Sequence, residues 1–301
     1  MTHGKVETIG PALERLDGVA SAAGVELIFP EEEREKHGLG AARGAELRTA
    51  GSAGRPSEPT GRTVESGSDS ALAADGGDAS EADVAVVLGG DGTMLRALQR
   101  FLGTSVPVIG VNFGRVGFLA SIAADELESG VARVFEGDFA VVELPTLDAE
   151  TKAGRWTAVN DVVVRSASVG RMVELGWSIG EEDLGTRPSD GVICSTPVGS
   201  TAYNLSNGGP VLVWGLDAMA MTFVAPHALD ARPLVIPRDR PLTVVNRTID
   251  VGVTVIVDGH QVCELDAHGE GVRIGLGPQR SHLATLPEIT FFRRYRRTFG
   301  A

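Results

Sequence analysis

The sequence contains very little lysine. Only Lys5, Lys36 and Lys152 occur, although lysine and arginine together number 27 in the 301 residues. None of the three lies near the glycine-rich segment at 89–93. A Walker phosphate loop requires Gly-Lys-Ser/Thr, so that class of nucleotide site is excluded. If the segment at 89–93 binds phosphate, it does so without lysine.

Cysteine and histidine are also scarce. Cys194 and Cys263 form neither a metal-ligand nor a redox spacing, and two cysteines do not make a disulfide framework. We expect both to be reduced thiols, as in cytosolic proteins. The six histidines are scattered, so no zinc site is supported and no residue is predicted as a metal ligand.

Long apolar runs are absent. No stretch approaches the ~20 apolar residues of a membrane-spanning helix, and the N-terminus lacks the apolar run of a signal peptide. A formal net charge of -13 argues against a general nucleic-acid surface and against adsorption to anionic lipid. We therefore expect a soluble, cytoplasmic protein that binds neither nucleic acid nor membranes.

A glycine-rich segment at Gly89–Thr93 is the most informative feature that is present. An apolar run at 84–88 precedes it, which is typical of a strand buried in a parallel sheet, and good helix formers follow at 94–102. Glycines let backbone amides approach a ligand closely, and a helix N-terminus attracts anions. The pattern predicts a strand, an anion-binding loop and a helix, with an ordinary tight turn as the structural alternative.

Asp91 distinguishes this segment from common nucleotide loops. The dinucleotide fingerprint requires a third glycine three residues after the second, where Leu95 stands. An acid in a phosphate-binding loop would repel its ligand unless it binds a metal or accepts a proton. Asp91 is therefore predicted to have a chemical role of its own.

The region before the loop is less regular. Helical spacing of apolar residues predicts a helix over 6–23, and a strand is predicted at 25–29. No room remains before the helix for the strand that normally begins a doubly wound domain, so either the gene start is misplaced or the sheet lacks a strand. Residues 38–82 are rich in small and acidic residues and are predicted to form a flexible insertion.

A second glycine-rich loop is predicted at 112–120, after a strand at 106–111. Open α/β sheets bind ligands at the carboxyl ends of their strands, although a simple turn would also account for the composition. A helix at 124–135 follows.

Beyond residue 138, short alternating segments separated by turn residues indicate antiparallel strands. Four alternate valines at 251–257 fall on one strand face. The predicted fold is an α/β N-terminal domain with a Rossmann-like parallel sheet (1–138), a predominantly β C-terminal sandwich (139–288), and a basic tail (289–301) that is solvated or contacts another subunit. The predicted strands are 140–146, 156–165, 171–179, 242–246, 251–257, 262–265, 272–276 and 282–286.

Two segments of this β region do not resemble ordinary strands. Asn160 and Asp161 interrupt an apolar run, where polar side chains are costly without partners, although a bulge is an alternative. The segment 190–210 is dense in hydroxyls, small residues and glycines, which suit close contact with a sugar, a phosphate or an adenine ring. It contains no Gly-x-Ser-x-Gly elbow, so a hydrolase nucleophile is not predicted.

Taken together, these segments resemble the NAD kinase family. The landmarks occur in the family's order and spacing over roughly residues 84–260: 89–93, 112–119, 160–161, 190–210 and 226–235. The first is shared with diacylglycerol, sphingosine and phosphofructokinase-type kinases, whereas the block ending in Asn207-Gly208-Gly209-Pro210 is highly specific. The resemblance implies an active site in the cleft between the two domains.

The resemblance also implies an activity and a set of site residues. The γ-phosphate of ATP, or phosphate from polyphosphate, would be transferred with a divalent cation such as Mg²⁺ to the 2′-hydroxyl of the adenosine ribose of NAD, in a homodimer or homotetramer. Asp91 would accept the proton of that hydroxyl. The positions matched to ligand binding are Gly89, Gly90, Asp91, Gly92, Thr93, Arg96, Phe118, Asn160, Asp161, Arg171, Asp190, Thr201, Ala202, Tyr203, Ser206, Ala225 and His260.

The sequence departs from the family pattern at two positions. His260 stands where the family often has glutamine, and Val198 replaces a hydroxyl residue. Two alternatives therefore stay open: a lipid or sugar kinase that shares only the first loop, and a non-catalytic sensor of NAD or NADP. The choice of NAD or NADH, and of ATP or polyphosphate, is also open.

Overall fold

The computed structural model describes residues 2, 6–38, 82–114, 117–227, 230–266 and 269–300. The predicted insertion at 38–82 lies, apart from its two end residues, outside these ranges. In the described ranges, no helix is both long and apolar enough to cross a membrane.

The helices match the predictions closely in the N-terminal half. The predicted helix over 6–23 is confirmed at its predicted bounds, whereas the predicted strand at 25–29 is wrong. Residues 25–29 form no ladder with a neighbouring strand and instead line a cavity, and a short helix follows them. The helices are α1 (Val6–Ala23), α2 (Glu31–His37), α3 (Asp91–Arg100), α4 (Leu127–Phe135), α5 (Tyr203–Ser206) and α6 (Phe291–Phe299), with 3-10 turns at Ala124–Glu126 and Gly199–Thr201.

Most predicted strands are present; the one at 242–246 has its predicted bounds, and the bounds of the others differ. The strands are β1 (Ala85–Gly89), β2 (Val108–Asn112), β3 (Ile122–Ala123), β4 (Ala140–Thr151), β5 (Gly154–Ala158), β6 (Asp161–Ser166), β7 (Val173–Ile179), β8 (Glu182–Ser189), β9 (Gly191–Ser195), β10 (Ala218–Val224), β11 (Leu234–Pro237), β12 (Leu242–Asn246), β13 (Val253–Val257), β14 (His260–Leu265) and β15 (Gly271–Thr285).

Three strand predictions need correction. The segment predicted at 156–165 is two strands, β5 and β6, which belong to different sheets. The segments predicted at 272–276 and 282–286 are one strand, β15, whose register shifts between Leu276 and Arg280. Gly277 and Pro278 occupy this irregularity, which is why the sequence predicts a turn there. The sequence does not predict strands β3, β8, β9, β10 and β11.

Two sheets carry the fold. A nine-stranded sheet has the order β1-β2-β15-β12-β7-β8, with β3 beside β2 and with β4 and β5 beside β15. In it, β2 pairs in parallel with β1, β3 and β15. A six-stranded sheet has the order β11-β10-β9-β6-β13-β14 and is antiparallel throughout. The predicted combination of a parallel N-terminal sheet and a β C-terminal half is confirmed.

The apolar cores follow from this arrangement. One buried cluster lies between the two sheets and includes Val253, Val255 and Val257, as the alternation of valines predicted. Two further clusters contain residues of β1 and β2. One joins them to α1 and α4, and the other joins them to α3 and α6. Helices therefore cover both faces of the parallel strands.

The C-terminal helix α6 belongs to the second of these clusters. Phe291 is buried there, and the guanidinium of Arg294 is buried beside it. The basic residues on either side, Arg293, Arg296 and Arg297, are exposed. One face of the tail is therefore packed on this core while its other arginines are exposed, and the contact with another subunit stays a prediction.

Candidate active site

The glycine-rich segment forms the predicted strand, loop and helix. Strand β1 ends at Gly89, Gly90 is in the extended conformation, and α3 begins at Asp91. Strand β2 runs parallel to β1 with Asn112 beside Gly89, so the two loops that follow these strands meet at one edge of the sheet. The N-terminus of α3 points its free amides and the positive end of its dipole toward this edge.

The Asp91 carboxylate joins the two loops. Its Oδ2 accepts a hydrogen bond from the amide of Phe118 at 2.6 Å, and its Oδ1 accepts one from the amide of Leu119 at 3.0 Å. A Cβ on Gly117 would overlap the carboxylate, so glycine is required for this close approach. A carboxylate has about four acceptor positions, so two remain for a ligand.

Phe118 itself is buried. Its ring packs edge-on against Trp214 with 5.7 Å between centroids, and against Phe291 with 5.4 Å. The position predicted to contact the ligand therefore contributes its backbone to the orientation of Asp91, while its side chain belongs to the core.

A second carboxylate, Asp258, organises the segment around Asn160 and Asp161. It accepts hydrogen bonds from the amides of Val159 (2.7 Å), Asn160 (2.7 Å) and Asp161 (3.0 Å), and from the side chain of Gln99 (2.7 Å). These bonds explain why the apolar run breaks between β5 and β6, since the three amides turn toward one side chain. They also tie α3, which carries Gln99, to the β half of the protein.

The sequence does not predict a role for Asp258 in the site. It lies in a β13–β14 turn and has a φ of 47°, a left-handed conformation that aspartate adopts more readily than most residues. An Asp-Gly pair between two alternating strands predicts a turn. Nothing in the sequence links that turn to residues 159–161.

Burial changes the chemistry of Asp161. The side chain is only 7% exposed, and this burial, together with the negative charge of Asp258, raises the pKa of Asp161 to about 7. Near neutral pH the group therefore divides between a hydrogen-bond donor and an acceptor form. Beside it, Oδ1 of Asn160 is buried and has no hydrogen-bond partner among the described residues.

The segment 190–210 is tightly built around small residues. The amide of Gly199 donates to the Thr196 hydroxyl, and a Cβ on Gly199 would overlap the carbonyl of Asn160. Asn204 donates to the carbonyls of Ser200 (3.1 Å) and Pro210 (3.0 Å) and accepts from Thr222. These contacts hold the 3-10 turn and α5 directly against Asn160. The exposed side chains of α5 include Tyr203 and Ser206.

The structure brings most of the predicted positions together. Val159 and Val198 share one buried cluster with Met94 and Phe118, so the glycine-rich segment, residues 160–161 and residues 199–206 surround a common core. His260 begins β14 and pairs with Val257, at the same end of the six-stranded sheet as Asp161. This first group contains Gly89, Gly90, Asp91, Gly92, Thr93, Arg96, Phe118, Asn160, Asp161, Thr201, Ala202, Tyr203, Ser206 and His260.

A second group lies elsewhere. Asp190 bonds through its backbone to Ser166 and Val224, so it stands at the opposite end of β6 from Asp161, roughly 17 Å away at the rise of a strand. Ala225 follows β10 at this same end, with a left-handed φ of 43°. Arg171 is exposed nearby and forms a 2.7 Å ion pair with Asp250. Within a single chain, Arg171, Asp190 and Ala225 therefore do not lie close to Asp91.

A cavity of about 550 Å³ lies away from this site. Leu13, Phe29, Glu33, Val86 and Arg100 are among its lining residues, which places it between α1, α2 and the outer side of β1. Neither Asp91 nor Asn160 lines it. The chemistry expected of the site therefore does not take place in this cavity.

Comparison with known proteins agrees with the geometry. A family model described as the ATP-NAD kinase N-terminal domain matches residues 19–139, and one described as the ATP-NAD kinase C-terminal domain matches residues 159–286. The NAD kinase of Gemmatimonas aurantiaca is 41% identical over 224 residues, which is 72% of this chain and 77% of that protein. The chain belongs to the NAD kinase family.

Other NAD kinases cover more of the sequence. That of Nitratidesulfovibrio vulgaris is 35% identical over 273 residues, 89% of this chain and 93% of that protein. Among solved structures, the Archaeoglobus fulgidus NAD kinase in complex with ATP has a TM-score of 0.61 at 26% identity and covers 73% of this chain and 83% of its own. Yeast NADH kinase complexed with NADH has a TM-score of 0.64 at 26% identity, with 73% and 66% covered.

These comparisons confirm the resemblance inferred from the sequence. The protein is an NAD kinase enzyme, a transferase that uses ATP and NAD. The alternative of a lipid or sugar kinase rested on the glycine-rich segment alone. The matches extend far beyond that segment and carry the NAD kinase description over both halves of the chain.

Proposed function

We propose that this NAD kinase transfers the γ-phosphate of ATP to the 2′-hydroxyl of the adenosine ribose of NAD, with Asp91 as the proton acceptor. The observation that carries the proposal is the Asp91 carboxylate, which two backbone amides hold at the start of α3. A ribose hydroxyl is a weak nucleophile. A positioned carboxylate orients it and takes its proton as the bond to phosphorus forms, which contributes roughly 100-fold to 10,000-fold.

Asn160 and Asp161 are suited to hold the ribose. The unpartnered Oδ1 of Asn160 can accept a hydrogen bond from a ribose hydroxyl, which would satisfy a buried polar atom. Asp161, with its pKa near 7, can donate or accept one. The amides of Asn160 and Asp161 both donate to Asp258, which fixes the backbone at these two residues, so the pair is preorganised before the substrate arrives.

The phosphate donor fits the loop side of the site. Glycines 89, 90 and 92 leave the N-terminal amides of α3 accessible, and Arg96 is exposed one helical turn along. Phosphoryl transfer depends on positioning and on charge neutralisation, which amides and a divalent cation supply without lysine.

A divalent cation is expected to arrive with the donor. Among the described residues, no group of three or more His, Cys, Asp or Glu side chains is arranged to hold a metal ion. Mg²⁺ characteristically binds through substrate phosphates with one or two carboxylates and several waters. A cation bound mainly by the phosphates of ATP would need no more than one or two carboxylates of the protein.

A second copy of the chain would complete the dinucleotide site. Arg171, Asp190 and Ala225 match dinucleotide-contacting positions of the family, yet they lie at the far end of the six-stranded sheet from Asp161. In a homodimer or homotetramer, the end of the six-stranded sheet that carries Asp190 in one protomer could lie against the end that carries Asn160 in its partner. Such an arrangement would bring the two groups of residues into one site.

The test is NADP formation from NAD by wild type and Asp91→Asn, with ATP and with polyphosphate as donors. We expect the substitution to reduce kcat by at least ~100-fold, since it removes a general base. The free energy of unfolding should fall by only about 1–3 kcal/mol, because the carboxamide still accepts from one of the two loop amides and leaves the other unpaired. Asp239→Asn, at an exposed carboxylate, is the matched control. Near-normal turnover of Asp91→Asn would contradict the proton-acceptor role.

A further inference from the structure

The C-terminal helix α6 buries one of its four arginines. Arg294 is 1% exposed, whereas Arg293, Arg296 and Arg297 on the same helix are exposed. Burying a guanidinium is costly unless its hydrogen bonds are satisfied. The identity of its partners therefore indicates what this burial achieves.

The hydrogen-bond acceptors of Arg294 lie in the loop that follows β2. Its Nη1 donates to the carbonyls of Phe118 and Ala120, both at 2.8 Å, and its Nη2 donates to the Ser121 hydroxyl at 2.6 Å. The guanidinium also stands over the Trp214 ring, 5.2 Å from its centroid. A planar fork that meets several acceptors fixes their relative positions, which lysine cannot reproduce.

Arg294 remains charged in this environment. Burial and the charge of the neighbouring Arg297 lower the pKa of Arg294, the negative charge of Asp91 raises it, and together they leave the pKa at about 10. A group with this pKa is protonated at neutral pH. The loop therefore lies between a buried cation and the carboxylate of Asp91.

One peptide unit connects these two charges directly. The carbonyl of Phe118 accepts from Arg294, and the amide of Leu119, which belongs to the same peptide group, donates to Asp91 at 3.0 Å. The oxygen and the hydrogen of a trans peptide point in opposite directions. Hydrogen bonds in such a chain polarise and strengthen each other.

We propose that Arg294 is a positioning residue that fixes the Phe118–Leu119 peptide and, through it, the orientation of the Asp91 carboxylate toward the ribose hydroxyl. The inference rests on the proposed role of Asp91. Because Arg294 is buried and its hydrogen bonds go to the loop, we expect its contribution to appear in kcat and to leave KM for NAD and ATP nearly unchanged.

The alternative is that Arg294 merely anchors α6. An anchor would contribute to the free energy of unfolding, and any loss of activity on its removal would be independent of Asp91. A double-mutant cycle separates the two, because a residue that acts through Asp91 loses its influence when the carboxylate is absent.

The experiment measures kcat, both KM values and thermal unfolding for Arg294→Met, Arg294→Lys, Asp91→Asn and the two double mutants. Arg296→Met, an exposed arginine on the same helix, is the control. A displacement near 1 Å can cost about 100-fold, so we expect Arg294→Met to lower kcat by roughly 10-fold to 100-fold. We expect Arg294→Lys to recover part of that loss. In the Asp91→Asn background, each substitution should lower kcat by less than about 3-fold.

Three results would overturn the inference: unchanged kcat in Arg294→Met, a loss confined to KM, or the same fold loss with and without Asp91. If Arg294→Met does not fold, the cycle is completed with Arg294→Lys, which retains the charge. Near-normal turnover of Asp91→Asn alone would refute the proposed role of Asp91. A large loss in Asp91→Asn with multiplicative loss in the double mutant would refute only the role of Arg294.

Discussion

Replacing Gly117 with alanine would place one methyl group against the Asp91 carboxylate. A Cβ at this position overlaps all three atoms of the carboxyl group. The backbone of Gly117 is outside the left-handed region, so alanine adds no conformational strain of its own. Because the obstructed atoms are the end of a side chain, the carboxylate can rotate away while the fold remains intact.

The magnitude follows from the two hydrogen bonds at stake. Asp91 accepts from Phe118 and Leu119 at 2.6 and 3.0 Å, and bonds to charged groups contribute about 1.5–3 kcal/mol each. Losing the alignment of one such bond in the transition state corresponds to roughly a 10-fold to 150-fold decrease in kcat, and losing both to at least about 150-fold. Overpacking costs about 1–3 kcal/mol of stability, and we expect the lower end since a side chain yields.

The assay is steady-state NADP formation together with urea unfolding. Gly114→Ala is the matched control in the same loop, because its Cβ would meet Gly90 Cα at an ordinary 3.6 Å. We expect the control to retain activity and to change stability by less than about 0.5 kcal/mol. Equal kcat values for Gly117→Ala and wild type would refute the idea that the loop amides orient Asp91 for the reaction.

Three further predictions concern other charged groups. Between about pH 4 and 7, Asp161 keeps a proton in the folded state that it releases in the unfolded state, so its contribution to stability is complete below pH 4 and is lost as the pH rises to 7. At pH 8, Asp161→Asn should therefore be more stable than wild type by at most about 4 kcal/mol. This difference in the free energy of unfolding should disappear when unfolding is measured toward pH 4. Asp258→Ala should lower the free energy of unfolding by roughly 3–5 kcal/mol because it leaves three amides unpaired. The control Asp217→Ala, at a largely exposed ion pair, should lower it by less than about 1 kcal/mol. Similar losses in both variants would contradict the stabilising role of the buried Asp258 carboxylate. Arg171→Ala breaks an exposed ion pair with Asp250, so the free energy of unfolding should change by less than about 1 kcal/mol. The Kd for NAD, measured by calorimetry, should rise. An unchanged Kd would show that Arg171 does not contact the dinucleotide.

The local features of the site could be predicted from the sequence. The apolar run, the glycines and the following helix formers determine the strand, loop and helix around Asp91 through short-range physics. The alternation of valines at 251–257 likewise predicts a strand with one buried face, as observed. In each case the decisive residues are neighbours along the chain.

The features that were missed depend on distant residues. Asp258 binds amides about a hundred positions earlier in the chain, and Arg294 binds a loop still farther away. Neither has a local signature, since an Asp-Gly turn and an arginine-rich helix are both common on surfaces. Strand β9 was missed for a related reason, because its apolar residues lie within a segment rich in turn-forming residues.

Strand β15 has a consequence for the order in which the chain acquires its structure. This strand pairs with β4 along most of its length and joins β2 at Leu283, while Leu283, Ala284 and Leu286 fill the cores on both faces of the parallel strands. During synthesis, residues 283–286 must therefore emerge from the ribosome before the N-terminal half can close its apolar core. Folding of the two halves is linked in time, and a fragment ending at residue 138 would expose the edge of β2 and behave as an aggregation-prone intermediate.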